Sequence, residues 1–191
     1  SPYAITDYYD IDPDICEDKR RRMHEFEELV ERSHQAKLDV IIDFVPNHVA
    51  REYHSTCKPK GVEDLGATDN PQWAFSPLNN FYYIHQPFAP SFDVEGYTEN
   101  PTRATGNDCF TAHPSKDDWY ETVKLNYGVF YQGSGEQQFD PIPNTWHKML
   151  HILLFWSNKG VDGFRCDMAE MVPQAFWAWV IPQVKAKYPN I

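Results

Sequence analysis

The chain has 191 residues, of which 41% are hydrophobic and 15% aromatic, so it is long enough to bury one sizeable core. Its formal net charge of −11 argues against nucleic acid and anionic membrane surfaces as partners, because both require a basic face. A neutral partner is expected instead, and no run approaches the roughly 20 apolar residues of a membrane span. The chain opens without an initiator Met and without a signal peptide, and its localisation stays open.

The four cysteines lack CxxC spacing, which argues against a zinc knuckle or a redox motif. Pairing of Cys57 with Cys109 in an oxidising compartment is left open.

The first predicted element is a surface helix from Glu17 to Ala36. Its apolar stripe recurs at helical spacing and comprises Met23, Phe26, Leu29, Val30 and Ser33. The run "LDVIIDFVPNH" follows directly, and its β-branched, nearly continuous apolar character predicts a parallel strand buried on both faces.

Periodicity disappears between residues 46 and 145. Ten of the fifteen prolines and seven of the nine glycines lie there, together with clusters of aromatic residues. So long a loop inside a compact domain is unusual, and we interpret it as an inserted irregular domain.

Regular structure is predicted to return with "NTWHKMLHILLFWSNKG", a helix capped by Asn144 or Thr145 and stopped at Gly160. The run "VDGFRCD" predicts a second strand, and a last helix is expected from Pro173, kinked or restarted at Pro182. Alternating helices and strands indicate an α/β protein with a parallel sheet. Two strands cannot form a stable buried sheet, so the pattern is typical of part of a larger domain.

Arg165 and Asp167 stand two residues apart in the second strand, so both side chains emerge on one face at its end. Opposite charges in this arrangement indicate either a functional site or an ordinary structural ion pair.

The motifs "DFVPNH" and "GFRCD", the Pro- and aromatic-rich segment between them and the opening "YAITDYYDIDP" resemble, in this order, the α-amylase family, glycoside hydrolase family 13. The resemblance implies an α/β fold, part of a (β/α)8 TIM barrel with a long inserted domain B after the third strand. Residues 1–45 would run from the loop after strand two to strand three, 46–145 would be domain B, and 146–191 would run from helix three to helix four. The rest of the barrel lies outside this chain.

The resemblance also implies site residues. Asp167 would be the nucleophile of a retaining glycosidase, kept ionised by Arg165. His48 would bind the sugar, Tyr3 would stack on it, and Asp43 would hold Arg165. Further predicted residues are Glu170 and Met171 beside the next sugar, and Asn47 and Asn126 in supporting positions. The acid/base Glu would lie beyond Ile191, so the chain alone is expected to be inactive.

The substrate expected from this resemblance is an α-1,4-glucan or maltooligosaccharide. The alternatives are a transglycosidase of the same family and a non-catalytic carbohydrate-binding or interaction homologue. A metal hydrolase using Asp43, His48 and His54 is disfavoured, because His54 lies in the irregular segment. No cofactor is expected. Calcium is disfavoured by Lys124, which stands where an acidic ligand is often found, and Ala4 lowers the odds of an exo-acting α-glucosidase.

Overall fold

The computed structural model describes residues 1–191. It contains three α-helices, α1 (Arg22–Gln35), α2 (Asn144–Asn158) and α3 (Gln174–Lys187). Six short strands are present, namely β1 (Ile41–Phe44), β2 (His48–Ala50), β3 (Tyr83–Ile84), β4 (Thr102–Arg103), β5 (Thr122–Lys124) and β6 (Gly163–Cys166). Two 3-10 turns cover Pro13–Ile15 and Ala169–Met171. None of the helices is long and apolar enough to cross a membrane.

The strands β1 and β6 form a parallel pair, with Asp43 in register with Arg165. The connection between them runs through the long segment and α2, as a parallel crossover requires. Asp43 and Asp167 therefore stand at the ends of adjacent parallel strands.

The predicted burial of both faces of the first strand is wrong. Phe44 is buried, but Ile41 is 65% exposed, because no other element covers that side of the two-stranded sheet. An open apolar groove of 740 Å³ lies there between β6 and α3. The chain therefore presents a sheet face that a parallel sheet normally keeps buried.

The helices are present as predicted, but their ends differ. Helix α1 begins at Arg22 rather than Glu17, since residues before it form turns. Helix α2 begins at Asn144 with Pro143 in the capping position, and no side chain caps it. Helix α3 begins at Gln174 and continues through Pro182 without a break, because one face of the helix is anchored by buried apolar residues on both sides of the proline. Those residues are Phe176, Val180 and Val184.

The segment between β1 and α2 contains two antiparallel strand pairs, β2 with β5 and β3 with β4. Near β2, the carboxylate of Glu99 bridges Arg51 at 2.7 Å and Arg103 at 2.7 Å, and the Arg51 and Glu99 side chains are buried. The apolar residues of this segment and of the helices form one continuous cluster, which includes Val49, Leu125, Met149 and Phe176. All four cysteines are free thiols.

Candidate active site

The nucleophile predicted from the sequence lies at the end of β6. The backbone N–H of Asp167 donates to the carbonyl of Phe44 at 2.8 Å, so the neighbouring strand fixes its position. Arg165 Nη1 contacts Asp167 Oδ1 at 2.8 Å and Asp43 Oδ1 at 3.5 Å. The side chain of Asp167 is only 15% exposed, whereas about half of the side chains of Arg165 and Asp43 is exposed. The guanidinium thus pairs with a carboxylate that is itself largely shielded from water.

His48 lies beside Asp167. It belongs to β2, which pairs with β5 and is joined to β1 by three residues. The residue is 3% exposed, and this burial lowers the pKa of the imidazole below its ordinary value of 6.5. The positive charge of Lys124 lowers it further, while the charge of Asp167 and a hydrogen bond to the Tyr3 backbone act in the opposite direction. The net effect favours a neutral ring near pH 7.

Asn47 and Lys124 are buried beside His48. The buried Lys124 Nζ donates to Asn47 Oδ1 at 2.9 Å and contacts Asp108 Oδ1 at 2.5 Å. An ammonium therefore fills the space between two oxygen ligands, and its positive charge opposes any second cation, so this set of residues does not fit calcium.

Asn126 is fully buried. Its side chain hydrogen-bonds to backbone atoms of Ser76, Asn79 and Gly128 and to none of the other predicted site residues.

A cavity of 440 Å³ brings Tyr3, His48 and Asp167 together. The guanidinium carbon of Arg165 lies 5.9 Å from the centre of the Tyr3 ring, which is partly exposed. Met168 also lines the cavity, and residues 118–122 form a further part of its wall. The cavity combines aromatic surface with a few fixed polar groups, which is typical of small-molecule sites.

Besides Arg165, Asn47 and Asn126, three further predicted residues do not line this cavity. Asp43 is paired with Arg165 beside it. Glu170 and Met171 belong to the 3-10 turn after β6, and Glu170 lines the separate apolar groove. Their predicted contacts with substrate stay predictions.

Sequence reasoning missed Trp119, an aromatic residue that lines the cavity. Its ring centre lies 5.3 Å from that of His48, and the residue is 36% exposed. Its hydrogen bonds involve its backbone, which donates to Asn107 and accepts from Thr122, so the indole N–H stays available to a ligand. The only sequence signal is an aromatic pair, "WY", just before the run that became β5, and the insert holds many such aromatics.

The segment that carries Trp119 is held rigidly. The Asp118 carboxylate accepts hydrogen bonds from Ser115 N and Oγ, both at 2.8 Å, and from Asn107 Nδ2 at 3.1 Å. These bonds, first that from the Ser115 backbone, lower the pKa of Asp118 below its ordinary value. Asp118 is thus an ionised anchor for this wall rather than a proton donor.

Comparison with known proteins places this chain in a family. Residues 1–190 match the family described as alpha amylase, catalytic domain. Alpha-amylase 3 of Dictyoglomus thermophilum is 27% identical over 171 residues, covering 89% of this chain and 26% of that protein. Maltase 1 of Drosophila virilis is 28% identical over 167 residues, covering 86% of this chain and 22% of that protein. The chain thus spans about a quarter of the length of these relatives.

Solved structures show the same fold. The native debranching enzyme of Nostoc punctiforme superposes with a TM-score of 0.62 at 20% identity, over 98% of this chain and 30% of that one. The cyclic α-maltosyl-(1→6)-maltose hydrolase of Arthrobacter globiformis gives 0.58 at 19% identity, over 98% and 33%. These matches imply that the chain forms part of a TIM-barrel fold. The chain belongs to the α-amylase catalytic-domain family.

Proposed function

We propose that the protein carrying this chain is an α-glucan-active retaining glycoside hydrolase that cleaves α-1,4-glucosidic bonds. The observation that carries the proposal is the position of Asp167, which is shielded, paired with Arg165 at 2.8 Å and placed in one cavity with His48 and Tyr3. The names of the relatives, an alpha-amylase and a maltase among them, support an oligosaccharide substrate. Residues 46–145 then act as domain B and supply the second wall of the cavity.

The proposed reaction has two displacements. In the first, an oxygen of Asp167 attacks the anomeric carbon and forms an ester bond, while the glycosidic C–O bond breaks and its electron pair leaves with the oxygen. That oxygen takes a proton from an acid/base Glu outside this chain. In the second, water gives its proton to the same Glu and attacks the anomeric carbon, and the ester bond breaks to regenerate Asp167.

The other residues have separate roles in this proposal. Arg165 keeps Asp167 ionised and oriented. His48 hydrogen-bonds a sugar hydroxyl, and Tyr3 and Trp119 contact the sugar. Because the proton donor lies outside the chain, we propose that the isolated 191 residues do not hydrolyse glucans above the uncatalysed rate.

Transglycosylation is the second candidate function. An α-1,4-glucan:maltose-1-phosphate maltosyltransferase of Cereibacter sphaeroides is 32% identical over 89 residues, covering 47% of this chain and 13% of that protein. The two reactions share the first displacement and differ in whether water or another acceptor intercepts the glycosyl-enzyme. A purely carbohydrate-binding role is less well supported, because it does not require a shielded carboxylate paired with Arg165.

The test is Asp167→Asn in the complete protein, assayed on starch and maltooligosaccharides. This change keeps the shape of the side chain and removes the nucleophile, so we expect turnover to fall at least about a thousandfold, or about 4 kcal/mol. The melting temperature should change little, as in the control Asp39→Asn, an exposed residue outside the site.

A trapping experiment completes this test. A slow-reacting fluorinated α-glycosyl fluoride should label the peptide containing Asp167, and peptide mass spectrometry would locate the ester. A lower melting temperature with turnover per folded molecule intact would instead make Arg165 and Asp167 a structural ion pair. Labelling at another carboxylate would mean that the nucleophile is misassigned.

A further inference from the structure

The side-chain amide of Asn47 has its two ends fixed by neighbours of opposite hydrogen-bonding character. Lys124 Nζ, which can only donate while protonated, lies 2.9 Å from Oδ1. The carbonyl of Gly106, which can only accept, lies 2.7 Å from Nδ2. Reversing the amide would set donor against donor and acceptor against acceptor, so one orientation is allowed.

Gly106 reaches Asn47 because it has no side chain. A Cβ on Gly106 would lie 2.7 Å from Thr122 Oγ1 and 2.8 Å from His48 Cβ, closer than real contacts allow. Its N–H also donates to Thr122 Oγ1 at 3.0 Å. The acceptor that holds Nδ2 is therefore rigid and in contact with the histidine that it helps to orient.

The second hydrogen of Nδ2 faces His48. Nδ2 lies 3.2 Å from His48 Nδ1, and since Nδ2 is a donor, Nδ1 must accept with its lone pair. A neutral imidazole whose Nδ1 accepts carries its proton on Nε2. The other tautomer would place two N–H groups against each other in a site where both residues are buried.

We propose that Asn47, clamped between Lys124 and Gly106, is a positioning residue that locks His48 in the Nε2–H tautomer. His48 then presents a hydrogen-bond donor rather than a lone pair on the side that faces the Tyr3 backbone and the cavity. This matters beside Asp167, because a lone pair would repel the carboxylate and could not donate to a sugar oxygen. The inference rests on the proposed function for its purpose, but the tautomer itself can be measured without substrate.

The test uses protein with ¹⁵N-labelled histidine rings, with His48→Gln to assign the signals, since protonated and unprotonated ring nitrogens differ widely in chemical shift. We expect Nδ1 of His48 to be unprotonated. Asn47→Asp keeps a partner for Lys124 but replaces the donor by an acceptor, and should move a proton onto Nδ1. Lys124→Met removes the donor to Oδ1, and should give a mixture of tautomers.

Lys148→Met is the matched control. Lys148 Nζ also donates to an asparagine, Asn80 Oδ1 at 2.8 Å, but far from the cavity, so its loss should leave the His48 signals unchanged. A protonated Nδ1 in the wild type, or an unprotonated Nδ1 in Asn47→Asp, would overturn the proposal. Identical His48 signals in Lys124→Met and Lys148→Met would overturn the part assigned to Lys124.

A functional arm separates this proposal from the proposed activity. In the complete protein, Asn47→Asp should lower kcat/KM for maltooligosaccharides at least about tenfold, as loss of tautomer control does at other catalytic histidines. An inactive wild type with the expected ring signals would contradict the proposed function alone. An active Asn47→Asp variant with a protonated Nδ1 would show that the tautomer has no catalytic purpose.

Discussion

At the scale of single residues, burial of His48 links the site to stability. The folded protein resists protonation of the buried ring, whereas the unfolded chain binds a proton below about pH 6.5. As the pH falls below this value, the unfolded state gains protons first and is stabilised, so the folded state loses stability until the pH passes the lowered folded pKa. Burial of the neutral imidazole thus lowers the stability of the folded protein in mildly acidic solution.

This predicts a pH-dependent difference between the wild type and His48→Gln. The free energy of unfolding of the wild type should fall more steeply between pH 7 and pH 5 than that of the variant. Urea denaturation at several pH values would measure both slopes. The control is His54→Gln, whose side chain is 78% exposed and which should keep the slope of the wild type. Parallel slopes for the wild type and His48→Gln would show that the ring titrates normally in the folded state.

The position of Asp167 beside Arg165 was predictable at this scale, because strand geometry places residues two apart on one face. Trp119 was not, since its position depends on the hydrogen bonds of Asp118 and Asn107 and not on any periodicity. The contact between Lys124 and Asn47 joins residues 77 apart in the chain and was likewise invisible in the sequence.

At the scale of elements, the wall formed by residues 118–122 predicts a binding role for Trp119. Trp119→Ala should raise KM for maltooligosaccharides several-fold to about tenfold with a smaller change in kcat, because about 1 kcal/mol of aromatic contact is lost. Trp73→Ala is the control, as Trp73 is 51% exposed and lies outside the cavity. In an inactive Asp167→Asn background, maltooligosaccharide titration should quench the fluorescence of Trp119 but not that of Trp73. Equal KM values in the two alanine variants would exclude contact between Trp119 and the sugar.

The ion pairs of Glu99 with Arg51 and Arg103 predict a contribution to the free energy of unfolding. Glu99→Gln would leave the buried guanidinium of Arg51 without a charged partner, and should lower the free energy of unfolding by about 3 kcal/mol or more. Asp14→Asn breaks the exposed pair with Lys19 and should have no measurable effect. Urea denaturation of both variants provides the comparison. Equal stability of the two variants would mean that hydrogen bonds to backbone carbonyls are sufficient to stabilise the buried guanidinium of Arg51.

Predictability differed among the elements as it did among residues. The helices and β1 were visible as hydrophobic patterns, and Gly160 stops α2 with a positive φ of 90°, as expected. Their ends were not, because α2 has no side-chain cap and packing carries α3 past Pro182. Strands β2 to β5 have two or three residues each, too few for a periodic signal, and they form only through pairing across the insert.

At the scale of the whole molecule, Lys124 predicts stability without calcium. Chelation should leave the melting temperature of the wild type unchanged, because the ammonium already bridges Asn47 and Asp108. Lys124→Asp would supply a third oxygen ligand in place of the cation, and added calcium should raise the melting temperature of this variant alone. Calcium coordinated by Asn47 in a refined structure of the wild type would overturn the prediction.

The path of the chain between β1 and β2 affects how fast a sugar can bind in the cavity. Every residue from Phe44 to Arg51 is buried, and His48 lies on β2, which follows β1 directly and pairs with β5. A buried connection of this kind leaves little freedom for β2 and β5 to move relative to β1, so we expect the walls of the cavity to keep a constant separation. We therefore expect a sugar to enter a preformed cleft, with an association rate set by diffusion and orientation rather than by a closing motion.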